Sequence, residues 1–403
     1  MMIPNYDSFR SIQHFWDDPQ WLRQRMLFLS GPRQVGKTTL VTSTLCTDNT
    51  AYFNWDNPQV RRVYISDPDF IAPLTAQWIC FDEIHKRPRW KDILKGLYDT
   101  YKGRFRFVVT GSARLEAFRK SGDSLVGRYF HTHLFPLNLS DFHKTDFTLP
   151  SHAADVLAAA ADTTDADGME ELLHCGGFPE PFFAGDEAFW KRWSLNHLDL
   201  ILREDMRDLT KVVEIDKIAH LVELLKPCAG QLVSYRNLAN DLESSHGNIR
   251  RWLEMLHRLY LVFPITPYAR KIRRAYKVEK KWYFMDWRVA AHNLFENYVA
   301  VSLLRAAMLY TDRYGEPFSL HFVRTHDGTE VDFLLCREGN PWLLIEVKEG
   351  LPEISSAVHR FSSELHVPCA VVTRKSHIAK KNSGREKTPI YSLSWAKVGR
   401  LLP

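Results

Sequence analysis

Arg25-Met-Leu-Phe-Leu-Ser30 runs without a break into Gly31-Pro32-Arg33-Gln34-Val35-Gly36-Lys37-Thr38, and Thr39-Leu-Val-Thr-Ser-Thr-Leu45 follows. The first stretch is a short apolar run that reads as a buried strand, and the last reads as a helix. Between them lies G-x-x-x-x-G-K-T, in the strand–loop–helix setting that gives this pattern its meaning. Glycines let the backbone curl so that N–H groups from Gly31 through Thr39 face a phosphate at a helix N-terminus. Lys37 can reach β- and γ-phosphates, and the Thr38 hydroxyl can hold Mg²⁺. The pattern predicts ATP and Mg²⁺ as cofactors, seated on Gly31, Pro32, Arg33, Gln34, Val35, Gly36, Lys37, Thr38 and Thr39.

A metal held by Thr38 also needs a carboxylate from the end of a neighbouring strand. Gln77-Trp-Ile-Cys-Phe81 is apolar and ends in Asp82-Glu83. Asp82 is expected to complete the Mg²⁺ shell and Glu83 to act as general base on the attacking water. A further apolar run, Phe105-Arg-Phe-Val-Val-Thr110, ends in Gly111-Ser112, where Ser112 or Thr110 could orient that water. Ser124-Leu-Val-Gly-Arg128-Tyr supplies a candidate arginine finger, a charge lent to a neighbour's γ-phosphate. Arg128 is the first choice, with Arg114 and Arg119 behind it.

Together Gly31-Pro-Arg-Gln-Val-Gly-Lys-Thr, Phe81-Asp-Glu-Ile, Thr110-Gly-Ser and Leu125-Val-Gly-Arg-Tyr…Leu134-Phe-Pro-Leu resemble a group of prokaryotic AAA+ ATPases. These end in a domain catalogued as domain of unknown function 4143. The resemblance extends through Gly176-Gly-Phe-Pro-Glu180 to the C-terminal motifs below. It implies an ATPase that forms an oligomer, a ring by preference, with related proteins linked to DNA transactions on branched DNA among others.

Bulk composition is that of a globular protein: 45% apolar and 25% charged residues over 403 positions, enough for two or three domains. No apolar run approaches the roughly 18 residues of a membrane span, so no membrane partner is expected. Six cysteines lack any C-x-x-C spacing, which argues against zinc or a disulfide framework and fits a cytoplasmic setting. The net charge of +5 is local: Gly247–Lys281 alone carries +8 and the remainder −3. Such a patch suits a polyanion, because each neutralised phosphate releases counterions. A solvated helix face beside a basic loop would look the same.

That patch falls at the end of a unit made of three helix-like stretches, Asp216–Lys226, Ser234–Leu242 and Ser245–Leu259, followed by two strands around a basic loop. The order predicts a winged helix meeting DNA through phosphates, with Arg250, Arg251, Arg270, Lys271, Arg273, Arg274 and Lys277 as contacts. A winged helix used only for protein packing has the same pattern.

Near the C-terminus, a helix carrying Glu296 precedes Glu330-Val-Asp332 and then Trp342-Leu-Leu-Ile-Glu346-Val-Lys348. Alternate residues share a face of a strand, so Glu346 and Lys348 point the same way and Asp332 on the neighbouring strand can meet them. Asp332 and Glu346 could bind a divalent cation, Lys348 could position a water, and Glu296 is a plausible third carboxylate. This order resembles the restriction-endonuclease-like nucleases and the archaeal Holliday-junction resolvases.

The expected architecture is α/β: a P-loop AAA+ domain with a parallel sheet (1–150), a helical lid or linker (151–212), a winged helix (213–288) and a restriction-endonuclease-like domain (289–403). Three functions share these features. The first is an oligomeric motor that processes DNA, branched (Holliday-junction-like) DNA included. The second is a regulatory or defence ATPase that binds DNA without remodelling or cutting it, and the third remodels proteins.

Overall fold

The computed structural model describes residues 25–45, 50–67, 69–111, 125–143, 148–206, 214–269, 279–375, 377, 380–382 and 388–403. They form two compact units. The first comprises Met1–Pro136, His197–Lys211 and Arg258–Tyr260; the second comprises Leu137–Asn196, Val212–His257 and Leu261–Pro403.

In the first unit the elements are β1 (Met26–Ser30), α1 (Lys37–Thr39), β2 (Thr50–Asn54), α2 (Pro58–Ser66), β3 (Trp78–Asp82), α3 (Trp90–Tyr101), β4 (Arg106–Thr110) and β5 (Tyr129–His133). All five strands are parallel, in the order β2-β3-β4-β1-β5. A parallel sheet is covered on both faces, which is why β1 and β3 read as unbroken apolar runs and are buried along their whole length. Trp90, Leu94, Leu97 and Tyr98 recur at helical spacing and turn one face of α3 into a core that holds Phe28, Phe81 and Phe107.

Parallel pairing has a chemical consequence. The residues closing β1 to β5 are Ser30, Asn54, Asp82, Thr110 and His133, and the register sets them along one edge of the sheet. Every strand leaves its core run through a polar residue at that edge, where open α/β sheets take their ligands.

The second unit begins with α4 (Leu139–Phe142), α5 (Ala153–Asp162), α6 (Met169–Cys175), α7 (Pro179–Ala184) and α8 (Glu187–Leu200, whose last four residues belong to the first unit). There follow α9 (Ile215–Leu225), β6 (Leu232–Val233), α10 (Tyr235–Asp241), α11 (His246–Arg258), β7 (Val262–Pro267) and β8 (Lys280–Phe284). The chain ends with α12 (Leu294–Tyr314), β9 (Phe318–Arg324), β10 (Glu330–Arg337), β11 (Asn340–Lys348), α13 (Ser356–Leu365), β12 (Cys369–Thr373), β13 (Lys380–Asn382), β14 (Ile390–Ser394) and α14 (Trp395–Gly399).

Ser234 caps α10, accepting from Asn237 N at 3.5 Å. Ala153, Val156, Leu157 and Ala160 are buried along α5, so this alanine-rich stretch is packed rather than a loose tether. Ala166 N donates to Ala396 O at 3.3 Å, anchoring the segment that follows.

Nine strands form one mixed sheet, ordered β13-β14-β12-β11-β10-β9-β7-β8-β6. The strand pair expected to flank a wing, β7 and β8, is part of it, because β7 runs parallel to β9 with Thr266 opposite His321. The strands on either side of residue 288 thus share hydrogen bonds. Long apolar α12 buries Phe295, Tyr298, Val299, Leu303, Ala306 and Tyr310. An ion pair fixes it: Arg305 Nη2 donates to Asp141 Oδ1 at 2.7 Å, with both side chains buried. Among the described residues, no helix is long and apolar enough to cross a membrane.

Candidate functional site

The loop after β1 is shaped by two glycines. Gly36 caps α1 in the left-handed region at φ 93°, which costs glycine nothing. Gly31 passes so close to the end of β5 that a Cβ there would lie 2.1 Å from Leu134 O. Gly31→Ala is therefore expected to lower the thermal midpoint by roughly 5 °C or more and to abolish tight nucleotide binding. Melting curves and nucleotide titration check this, and an unaltered melt would contradict the close approach.

Within this loop the Lys37 ammonium is buried and donates to Gly31 O at 3.0 Å and Pro32 O at 2.7 Å. Burial pulls its pKa down to about 8, against the pull of Glu83 and Asp82. Neutral carbonyls are weak partners for a buried cation. The position suits an incoming phosphate, whose charge would supply what the carbonyls lack.

Asp82 collects three hydroxyls. Thr110 Oγ1 donates to its Oδ1 at 2.5 Å, and Thr38 Oγ1 to its Oδ2 at 3.2 Å. The Tyr52 phenol also donates to Oδ2, and burial together with this bond raises the phenol's pKa. Thr38 and Asp82 thus stand together as a metal-binding pair requires. These two residues would hold Mg²⁺, which would supply positive charge against the β- and γ-phosphates.

Glu83 sits in the left-handed region at φ 54°, uncommon for a residue with a side chain, and its N–H donates to Thr110 O at 3.1 Å. Burial raises its carboxyl pKa above the ordinary glutamate range, opposed by Lys86, whose Nζ lies 3.7 Å from Oε2. His85 Nε2 is 3.5 Å from the same oxygen. A carboxylate poised toward neutrality beside the metal-binding aspartate fits a general base.

Other sequence expectations fall differently. The Arg33 side chain turns from the phosphate cradle to Asp205 Oδ1 (2.6 Å) and Glu204 Oε2 (2.9 Å), while His197 Nε2 lies 3.3 Å from Arg33 O. Burial lowers the His197 pKa to about 4, so that ring is neutral. Arg128 forms a two-pronged pair with Asp99 on α3, at 2.9 and 3.0 Å. It stands at the N-terminal end of β5, whereas the phosphate loop leaves the C-terminal end of β1. Five residues of strand separate them, about 16 Å, so Arg128 stands at the opposite end of the sheet from that loop. Ser112, Arg114 and Arg119 lie outside the described residues.

The second cluster lies on β10 and β11. Phe333 faces Ile345 and Leu334 faces Leu344, so the next step brings Asp332 opposite Glu346. A register shift between Val331 and Leu334 in the pairing with β9 marks a bulge there, a device that re-aims a side chain. Asp332 Oδ2 accepts from Val347 N at 2.8 Å, and Lys348 Nζ donates to Glu346 Oε1 at 2.6 Å. Glu346 Oε2 is buried and has no hydrogen-bond partner. Burial and the nearby Asp332 charge raise the Glu346 pKa to about 7. Glu296 is pushed to about 7 by the same two causes.

Glu296 is held by its neighbours: Oε1 accepts from the Tyr283 hydroxyl at 2.7 Å and Oε2 from Asn293 Nδ2 at 3.0 Å. Among the described residues, no three His, Cys, Asp or Glu side chains form a metal-holding group. Asp332 and Glu346 remain as a carboxylate pair, whose unpartnered Oε2 is the one feature that fits a divalent cation.

Reading the sequence missed Lys281 and Tyr283. Both sit on β8, two residues apart and on one face. Lys281 is buried and ion-paired with Glu330, and its charge lowers the pKa values of Asp332 and Glu296 against the rise that burial imposes. A lysine counted into a basic patch is in fact an internal counter-charge. Arg250 and Arg251 are exposed on α11, opposite buried Ile249, Trp252 and Leu253. Arg270, Lys271, Arg273, Arg274 and Lys277 lie outside the described residues.

Residues 23–143 match the family described as "AAA domain", 166–295 a "Domain of unknown function (DUF8612)", and 291–393 a "Domain of unknown function (DUF4143)". An uncharacterized protein of Mycobacterium tuberculosis is 25% identical over 83% of this chain and 73% of its own length. One from Methanocaldococcus jannaschii is 23% identical over 76% of this chain and 71% of its own. Among solved structures, the Thermotoga maritima RuvB Holliday junction branch migration motor is similar over 62% of this chain and 83% of that one, at 16% identity. Its TM-score of 0.25 is too low to carry an argument.

Proposed function

We propose that this chain, an AAA-type P-loop ATPase whose C-terminal part is the domain of unknown function 4143, couples ATP hydrolysis to work on DNA as an oligomer. ATP with Mg²⁺ is the fuel, held by the loop from Gly31 to Thr39 with Asp82, and Glu83 activates water. Arg128 acts in trans, since its place at the far end of β5 removes it from its own phosphates. Branched DNA is the preferred substrate, and the winged-helix and nuclease-like parts are its binding surfaces.

The observation that carries this reading is the buried carboxylate–lysine cluster. Asp332 on a bulge, Glu346 with an unpartnered oxygen, and Lys348 two residues on are the groups that recognise a phosphodiester beside a cation. They add nothing to a purely protein-directed ATPase. The exposed Arg250 and Arg251 supply phosphate contacts near the basic stretch.

A labelled four-way DNA junction incubated with Mg²⁺ and ATP tests this on a native gel, with Lys37→Ala and Asp332→Ala alongside. Arms separated intact, and lost only with Lys37→Ala, are the result expected of a motor whose C-terminal part binds without cutting. Nicked strands that disappear with Asp332→Ala, by about 100-fold, would make the cluster a nuclease. A junction left unbound would remove DNA as the substrate and leave a protein partner.

A further inference from the structure

Beside the carboxylate–lysine cluster the second unit holds a cleft of about 830 Å³ that the chemistry above does not use. Its place is fixed by the strand register. Glu349, on its wall, follows Lys348; Arg374 follows Thr373, which pairs with Lys348 across β11 and β12. Leu294, also on the wall, lies two residues before Glu296. The cleft therefore opens at the strand ends that carry Glu346 and Lys348.

Its lining combines an indole with four cations, Lys191, Lys226, Arg288 and Arg374. The Arg288 guanidinium lies 4.0 Å from the Trp190 ring centroid, is ion-paired with Glu187, and is only 9% exposed. Asp286 braces the indole, accepting from Trp190 Nε1 at 3.1 Å and from Arg288 N at 3.2 Å. Gly176, in the Gly176-Gly-Phe-Pro-Glu180 motif, stands at φ 81° with Arg288 Cδ at 3.4 Å from where a Cβ would be. A residue with a side chain would be strained there and would crowd the arginine, which gives this motif a physical purpose. Around the indole, Arg374 is held by Glu170 at 2.6 and 3.0 Å. Lys191 and Lys226, 66% and 33% exposed, pair with Glu187 at 3.4 Å and Glu223 at 2.6 Å, surface contacts that a phosphate can displace.

The half-buried Trp190 indole, backed by the buried Arg288 guanidinium, is a surface on which nucleobases stack without regard to sequence, and adjoining lysines take the phosphates. The volume is that of a small-molecule pocket, about 300–1,000 Å³, and excludes a double helix. Four Lys/Arg against three Glu also give too little net charge to hold a duplex by its phosphates alone. We propose that the cleft receives unpaired nucleotides of a DNA strand whose adjoining phosphodiester lies at Glu346 and Lys348. This rests on the DNA reading of that cluster, and adds that the strand enters melted.

Fluorescence anisotropy with a forked duplex bearing one unpaired arm, against a blunt duplex of the same sequence, tests it on the full chain. Wild type is expected to bind the fork about tenfold more tightly. In Lys191→Glu/Lys226→Glu the loss of positive charge weakens both ligands, so the fork-to-blunt ratio is the readout, and it should fall toward one. Lys191 is exposed and Lys226 half-exposed, and a retained melting midpoint confirms the fold. A wild-type ratio of one, or a tenfold ratio kept in the double variant, overturns the cleft while leaving DNA binding standing. Binding of neither DNA overturns the DNA reading, and the cleft with it.

Discussion

Lys37→Ala is expected to reduce ATP turnover by roughly 1,000-fold or more, to the background of the assay. The cause lies in the resting state of the side chain. Lys37 is buried, its charge is disfavoured there, and among the described residues its hydrogen bonds go to two carbonyls of its own loop. That arrangement is stable enough to persist and weak enough to be exchanged for a phosphate. In the transition state the γ-phosphoryl oxygens carry charge that water cannot screen in a closed site, so a fixed ammonium there gains what it lacks at rest. Alanine removes the ammonium and leaves the rest of the loop's N–H groups. Nucleotide affinity should fall less than turnover does, because those N–H groups still face the phosphate. Steady-state phosphate release and equilibrium binding of a fluorescent ATP analogue separate the two. Unchanged turnover would withdraw the nucleotide-site assignment altogether.

What made the first site legible in advance is that its parts are local. The apolar run Met26–Ser30, the eight residues after it and the Asp82-Glu83 pair each announce themselves within a single strand and its exit. The five-stranded parallel sheet then follows, because strands buried on both faces have no alternation to hide. Partners that arrive from elsewhere in the chain gave no signal. Asp205 lies 172 residues from Arg33, and Tyr52 meets Asp82 only because β2 and β3 pair in register. Lys281 and Tyr283 are the sharpest case. Their strand reaches the carboxylates through β7, which crosses to pair with β9, and nothing in the local pattern of residues 280–284 encodes that crossing. The same nonlocality explains Glu296. Its place on the helix is legible locally, but the Tyr283 hydroxyl that holds one of its oxygens comes from β8.

Glu83→Gln carries the second large effect: hydrolysis falls by about 100- to 1,000-fold while ATP stays bound. Glutamine keeps the shape of the side chain and most of its hydrogen-bonding reach, but it cannot accept a proton from the attacking water. The backbone argues that this position is built for that task. Glu83 holds a left-handed conformation that costs on the order of 1 kcal/mol, and its N–H is tied to Thr110 O. This fixes the residue immediately beyond Asp82, which itself gathers Thr38, Tyr52 and Thr110. Burial raises the carboxyl pKa, so the base becomes protonated at a higher pH than an exposed glutamate would. Wild-type turnover should therefore lose activity on the acid side above the usual glutamate range, and that limb should vanish in the residual activity of Glu83→Gln. Rapid filtration of labelled ATP measures retention, and a pH profile of turnover measures the limb. A variant that releases product at the wild-type rate would move the role of base to another residue, the adjoining Asp82 carboxylate being the nearest in sequence.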